Sequence, residues 1–110
     1  MIIAAALFAA APATPVSPRQ YAYSAWGQCL EAHIAPDRFM TAPRITDRAM
    51  QACLRFEQDY SRANASWLAA ANLNPAQTAE AERDYNRSIR RMRRMIEDEV
   101  QEMQDQSGNR

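Results

Sequence analysis

Residues 45–71 read ITDRAMQACLRFEQDYSRANASWLAAA, and their apolar positions decide the fold class. These positions recur every three or four residues, a spacing that matches one face of an α-helix and no face of a strand. They are Ile45, Ala49, Cys53, Phe56, Tyr60, Ala63, Trp67 and Ala71. Because Asn72-Leu73-Asn74-Pro75 supplies an end to the pattern, we expect one continuous helix over residues 45–72.

Two capping sequences mark a helix on either side of this stretch. Ser17-Pro18-Arg19-Gln20 places serine at the N-cap, proline at the first helical position and glutamine three residues after the cap. Asn74-Pro75-Ala76-Gln77 repeats the device. We therefore expect helices over residues 18–34 and 75–106, with His33 at the end of the first.

Three helices with short connections predict an all-α, three-helix up-down-up bundle, or a helical hairpin with a short first helix. The abundance of Ala, Arg, Glu, Gln and Met and the presence of only two glycines agree with this class. Thr46 and Asp47 are the expected cap of the second helix. In the connection before it, Phe39 and Met40 are apolar, so we expect them to fold over the end of the hairpin.

Residues 1–13 have the pattern of a secretory signal peptide. An uncharged apolar run from Ile2 to Ala11 is too short to span a bilayer, and Ala11-Pro12-Ala13 matches an A-x-A cleavage site. No arginine or lysine precedes the run, which departs from the usual pattern. We expect export to the periplasm or beyond after cleavage near Ala13, leaving residues 14–110 as a single helical domain.

The chain has two cysteines, Cys29 and Cys53, and export would deliver both to an oxidising compartment. Each lies on the apolar face of its helix at a similar distance from the connection, so we expect a disulfide between helices one and two. Cys29 and His33 are also four residues apart on one helical face, a spacing that suits metal ligands. Since His33 is the only histidine, we predict no metal site.

Arginines cluster on one face of the third predicted helix. At 100° per residue, five of them lie opposite the apolar positions: Arg83, Arg87, Arg90, Arg91 and Arg94. Acidic residues follow directly, and Arg93–Glu97 and Arg94–Asp98 are expected ion pairs. The face has three interpretations: a solvated surface, a contact with a second copy or another protein, or a site for an anionic polymer or lipid.

The formal net charge of the chain is zero, with 13 arginines against 13 acidic residues and no lysine. This balance gives no long-range attraction to nucleic acid or to an anionic membrane, so we expect no nucleic-acid partner and little contact with a membrane surface.

No catalytic pattern is present, and we expect no enzyme and no cofactor. A single histidine and glycines only at Gly27 and Gly108 provide neither a Ser-His-Asp set nor a phosphate-binding loop. The first helix is too short to cover the other two, so their apolar faces must pack elsewhere. We expect protein contact, as a homo-oligomer with coiled-coil pairing or with an envelope protein. The predicted contact surface is Trp67, Leu68, Arg83, Arg87, Arg90, Arg91 and Arg94.

Two stretches resemble known families. The chain looks like the small, uncharacterised exported two-cysteine helical proteins of Gram-negative bacteria. The resemblance rests on a signal peptide, a first helix with Cys29-Leu30 near its end, and Ala52-Cys53 one helix later. It implies no activity. Leu73-Asn74-Pro75-Ala76-Gln77 is similar to the LTxxQ motif of Spy/CpxP-type periplasmic chaperones and metal-stress sensors. Asparagine replaces threonine here and no second copy follows, although that family typically carries two. The resemblance implies a chaperone-like or anion-binding module as the alternative function.

Overall fold

The computed structural model describes residues 16–108 and contains four α-helices and no strand within that range. They are α1 (Pro18–Ala32), α2 (Ala42–Ala52), α3 (Leu54–Ala71) and α4 (Pro75–Gly108). The all-α class is therefore confirmed, whereas the count of three helices is wrong. The predicted signal peptide, residues 1–13, lies outside the described residues.

The expected helix over residues 45–72 is broken at Cys53. This residue ends α2 and precedes α3, and its φ of −106° and ψ of 17° leave the helical range. The two halves pack on different partners, because α2 lies mainly along α4 and α3 mainly along α1. A straight helix could not follow both directions.

The ends of the helices follow local side-chain chemistry. The Ser17 hydroxyl accepts a hydrogen bond from the Gln20 N–H, and the Gln20 side chain accepts one from the Ser17 N–H, as the capping box predicts. Asn74 and Gln77 form the same reciprocal pair at the start of α4. His33 is the C-cap of α1, as expected.

The second helix begins earlier than predicted. Thr41, not Thr46, is the N-cap of α2, and its hydroxyl accepts a hydrogen bond from the Arg44 N–H at 3.4 Å. Thr46 is fully buried inside the helix, where its hydroxyl donates to the carbonyl oxygen of Ala42 at 2.8 Å. The backbone bond satisfies a polar group that would be costly to bury alone.

The hydrophobic core lies where α4 meets the other three helices. Its largest buried apolar side chains are Trp26 and Leu30 from α1, Ile45 from α2, Tyr60 from α3, and Met92, Ile96 and Val100 from α4. Gly27 permits the close approach of α4 to α1, because a Cβ there would lie 3.2 Å from the Met92 methyl carbon.

An ion pair between Arg93 and Asp47 adds a polar link between α4 and α2. The expected pairs Arg93–Glu97 and Arg94–Asp98 are not among the ion pairs of the described residues.

The connection before α2 is held by Gln104, whose side-chain amide donates to the carbonyl oxygens of Asp37 and Met40 at 3.0 and 2.8 Å. Met40 packs against the core, but Phe39 is 88% exposed, so the prediction that it folds over the hairpin is wrong. Between residues 16 and 108, no helix is long and apolar enough to cross a membrane.

Candidate binding cleft

An open cleft of about 520 Å³ lies between the first half of α1, the second half of α3 and the first half of α4. We call it the aromatic cleft. Four aromatic side chains contribute to its walls: Tyr23 from α1, Tyr60 and Trp67 from α3, and Tyr85 from α4. Its size falls within the range of natural ligand pockets, and its aromatic walls are typical of them.

The tyrosines form a continuous aromatic cluster with the buried Trp26. The Tyr60 ring lies 5.0 Å from Tyr23 in an edge-on arrangement and 5.3 Å from Tyr85 in a stacked one. Tyr60 also stacks on Trp26, with the ring centroids 6.1 Å apart. Offset and edge-on arrangements are the favoured geometries for aromatic pairs, and the contacts fix the ring orientations. The cleft therefore has a preformed aromatic floor.

Ser88 ties the three tyrosines to one turn of α4. Its hydroxyl donates to the Tyr85 carbonyl oxygen at 2.6 Å, so the proton between the Tyr60 and Ser88 oxygens, 2.7 Å apart, comes from Tyr60. The Tyr23 hydroxyl donates to the Ser88 carbonyl oxygen at 3.1 Å. The hydroxyls of Tyr23 and Tyr60 are thus already used within the protein. Because Tyr60 is buried, the half-buried rings of Tyr23 and Tyr85 are the tyrosine surface that remains for a ligand.

Burial raises the pKa of Tyr23 above its ordinary value of 10.0. Nearby Tyr60 raises the pKa further, while the positive charge of Arg91 opposes both effects by favouring the phenolate. The net direction keeps Tyr23 in its neutral, hydrogen-bond-donating form. The link to Ser88 is therefore maintained at and well above neutral pH.

The mouth of the cleft carries charges of both signs. The Arg19 guanidinium lies over the Trp67 ring at 3.8 Å from its centroid, a cation–π contact between α1 and α3. Arg91 lines the same cleft, opposed by Glu80 and Asp84. A ligand that uses this mouth would meet two positive and two negative groups, so net charge alone cannot select it.

Amide side chains provide the remaining polar surface. Asn64 is 7% exposed and lines the cleft together with the more exposed Gln20 and Gln77. An amide offers both donors and acceptors, which is the complement of a peptide backbone. The chain's single histidine, His33, does not line this cleft, so no imidazole is available to activate the Ser88 hydroxyl. The arrangement is suited to binding.

The structure divides the predicted contact surface. Trp67 and Arg91 both line the aromatic cleft, and Trp67 is 38% exposed there. The other members lie outside it: Leu68 is half-buried, and Arg83, Arg87, Arg90 and Arg94 are exposed on α4. Arg87 forms an ion pair with Asp84 at 3.1 Å.

Tyr60 was predicted only as part of an apolar helix face and not as a cleft residue. Sequence reasoning also missed the cleft residues Tyr23, Asn64, Tyr85 and Ser88. Asn64 follows Tyr60 by four residues and therefore continues its helical face, so a polar residue at this position was a detectable signal. Ser88 gave none, because its role depends on two tyrosines that are 28 and 65 residues away in sequence.

The predicted disulfide between Cys29 and Cys53 is present, with a Cα–Cα distance of 5.9 Å. It joins α1 to the start of α3, because the predicted second helix is divided at Cys53, so the expected link between helices one and two is corrected. His33 lies beside the bridge, with Nδ1 at 3.8 Å from the Cys29 sulfur and 3.6 Å from the Cys53 sulfur.

Comparison of the chain with protein-family models, curated proteins and solved structures gives no match.

Proposed function

We propose that this protein is a non-enzymatic, exported protein that acts by contact with another polypeptide, which it binds in the aromatic cleft. The observation that carries the proposal is the preformed cluster of Tyr23, Tyr60 and Tyr85 at the floor of an open cleft of about 520 Å³. The disulfide is consistent with export, since such bridges persist in oxidising compartments.

The chemistry of the cleft favours a polypeptide as the ligand. Tyrosine and tryptophan supply rigid contact area at a low cost in conformational entropy, which is why they are enriched in protein-binding sites. Asn64 and Gln77 add amide groups that can pair with a main chain. The mixed charges of Arg91 and Asp84 suit a partner with both signs rather than a polyanion.

A peptide-display selection against the disulfide-bonded full chain tests the proposal. We expect selected peptides to change the fluorescence of Trp67, the tryptophan at the cleft. Trp26→Phe makes Trp67 the only tryptophan, and it removes no hydrogen bond within the described residues because the buried Trp26 Nε1–H has no partner there. The readout therefore reports the cleft directly.

Two matched variants distinguish cleft binding from other contacts. Arg91→Ala should weaken binding of the selected peptides, whereas Arg90→Ala should not, because the neighbouring Arg90 is exposed outside the cleft. Selected peptides that bind the unsubstituted protein, Arg91→Ala and Arg90→Ala equally would count against the proposal. A failure to select any peptide would count against it as well.

A second candidate, the anion-binding or chaperone-like module, rests on the exposed arginines of α4 outside the cleft. Arg83, Arg90 and Arg94 form no ion pair with another described residue, so their charges face solvent. Binding to anionic vesicles that falls steeply with salt and is lost in an Arg83→Gln, Arg90→Gln, Arg94→Gln triple variant would support this candidate.

A further inference from the structure

We propose that Cys29, Cys53 and His33 form a binding site for a soft or borderline divalent cation, with Zn²⁺ as the natural fit, when the disulfide is reduced. The three side chains offer two sulfurs and one imidazole nitrogen, all within 4.8 Å of one another. The proposal is independent of the aromatic cleft, to whose lining none of the three residues belongs.

The distances around His33 match those of a tetrahedral site. With zinc–sulfur bonds of about 2.3 Å and zinc–nitrogen bonds of about 2.0–2.1 Å, a tetrahedron places each sulfur about 3.5 Å from the nitrogen. Nδ1 of His33 already lies 3.8 Å from the Cys29 sulfur and 3.6 Å from the Cys53 sulfur. Once the bond between them is broken, the two sulfurs must move apart to about 3.8 Å. The exposed His33 ring must also turn so that Nδ1 points at the cation and not at the Cys29 carbonyl oxygen.

The backbone holds the three ligands in place from two elements. Cys29 and His33 are four residues apart in the last turn of α1 and its C-cap, while Cys53 lies at the junction of α2 and α3. Cys53 is buried, Cys29 is half-buried and His33 is exposed, so a cation can enter from the His33 side and keep a water as its fourth ligand.

In the oxidised form the site is closed to metal for two reasons. The sulfurs are bonded to each other, and Nδ1 of His33 lies 2.8 Å from the Cys29 carbonyl oxygen. A carbonyl oxygen only accepts, so Nδ1 carries the proton and its lone pair is not free. Metal binding requires the other tautomer, with the proton on the exposed Nε2.

A dithiol is the reductant that opens the Cys29–Cys53 bridge. The dithiol transfers two electrons and two protons to the Cys29–Cys53 bridge, giving two thiols, and is itself oxidised to a disulfide. The cation then binds both sulfurs as thiolates and releases their two protons to solvent. The metal would link α1 to the start of α3 at the same point as the disulfide.

Cobalt binding to the reduced full chain tests the proposal. After anaerobic reduction with a dithiol and its removal by gel filtration, we expect Co²⁺ to bind at one equivalent per chain. Charge-transfer and d–d absorption bands should show tetrahedral thiolate coordination, and Zn²⁺ should displace the cobalt. The oxidised protein is the matched control and should show none of these bands.

His33→Ala decides whether the histidine is a ligand. We expect the reduced variant to bind Zn²⁺ more weakly by at least the roughly 10–100-fold typical of losing a supporting group at a metal site. Equal affinity in the two reduced proteins, or an unchanged ¹⁵N signal from the imidazole on metal binding, would overturn the proposal. If the reduced chain unfolds, the readout becomes helicity: Zn²⁺ should restore the circular dichroism of wild type and not of His33→Ala, and equal recovery would overturn it.

Discussion

Ser88 has a larger effect on the aromatic cleft than its size suggests. Its hydroxyl accepts a hydrogen bond from Tyr60 and its carbonyl oxygen accepts one from Tyr23, so one residue of α4 positions aromatic rings from both α1 and α3. The polar atoms at this point are satisfied by one another. The buried Tyr60 ring supports the half-buried Tyr23 ring, which is part of the surface that a partner would meet.

Removing the Ser88 hydroxyl should lower the stability of the fold. In Ser88→Ala the Tyr60 hydroxyl loses its acceptor, and we expect the free energy of unfolding to fall by about 1 kcal/mol. Ser61→Ala is the matched control, because Ser61 is exposed on α3 and gains the same helix propensity. Urea unfolding of the two variants measures the difference, and equal stabilities would show that the bond contributes nothing.

Tyr23 should make the fold sensitive to alkaline pH. Because its pKa is raised in the folded state, the stability linked to this group is complete below pH 10.0 and is lost as the pH rises through the raised value. As the pH rises above 10.0, we expect the free energy of unfolding to fall less in Tyr23→Phe than in wild type. Tyr21→Phe should behave like wild type, since Tyr21 is 71% exposed; urea midpoints across this interval provide the test.

At the scale of elements, a helix start was predictable where its capping hydrogen bonds join residues within four positions of each other. The reciprocal bonds of Ser17 with Gln20 and of Asn74 with Gln77 depend only on neighbours in sequence, and both helix starts were predicted correctly. The break at Cys53 was not predictable, because residues 45–71 contain no glycine or proline. It reflects the different helices that α2 and α3 pack against, which is tertiary information.

The same limit explains what the sequence revealed about the candidate cleft. Trp67 and Arg91 were predicted as contact residues because each lies on a recognisable helical face. Their meeting in one cleft depends on the crossing of α3 and α4, which no spacing within one helix encodes. The expected pair Arg93–Glu97 gave way to Arg93–Asp47 for a related reason, since α2 brings Asp47 within reach of α4.

The disulfide should stabilise the junction between elements mainly by restricting the unfolded chain. Its cysteines are 24 residues apart, and closing a loop of this size is worth about 3.5 kcal/mol in the chain-entropy model. We therefore expect Cys29→Ala combined with Cys53→Ala to lower the free energy of unfolding by about that amount in urea. Cys29→Ala alone breaks the same bridge and should lose a similar amount; a loss below about 1 kcal/mol in both would contradict the loop-entropy account.

At the scale of the molecule, the helices pack mainly as two pairs, α1 with α3 and α2 with α4. Helix α4 joins the two pairs. Its first half borders the aromatic cleft with α1 and α3, while Met92, Ile96 and Val100 in its second half are buried in the core shared with α2. The core includes side chains from all four helices, so the cleft and the α2 region should unfold together.

Ile96→Ala tests that cooperativity. Ile96 is 1% exposed, and truncation of a buried isoleucine typically costs about 2–5 kcal/mol. Its neighbour Met95 is 52% exposed, so we expect Met95→Ala to change stability by less than about 0.5 kcal/mol. Both variants are made in the Trp26→Phe protein, where Trp67 is the only tryptophan. Urea unfolding is followed by Trp67 fluorescence, which reports the cleft, and by far-ultraviolet circular dichroism, which reports all helices. Ile96→Ala should shift both transitions equally, because the core transmits the loss to the cleft. A shift in the dichroism alone would show instead that the two helix pairs unfold independently.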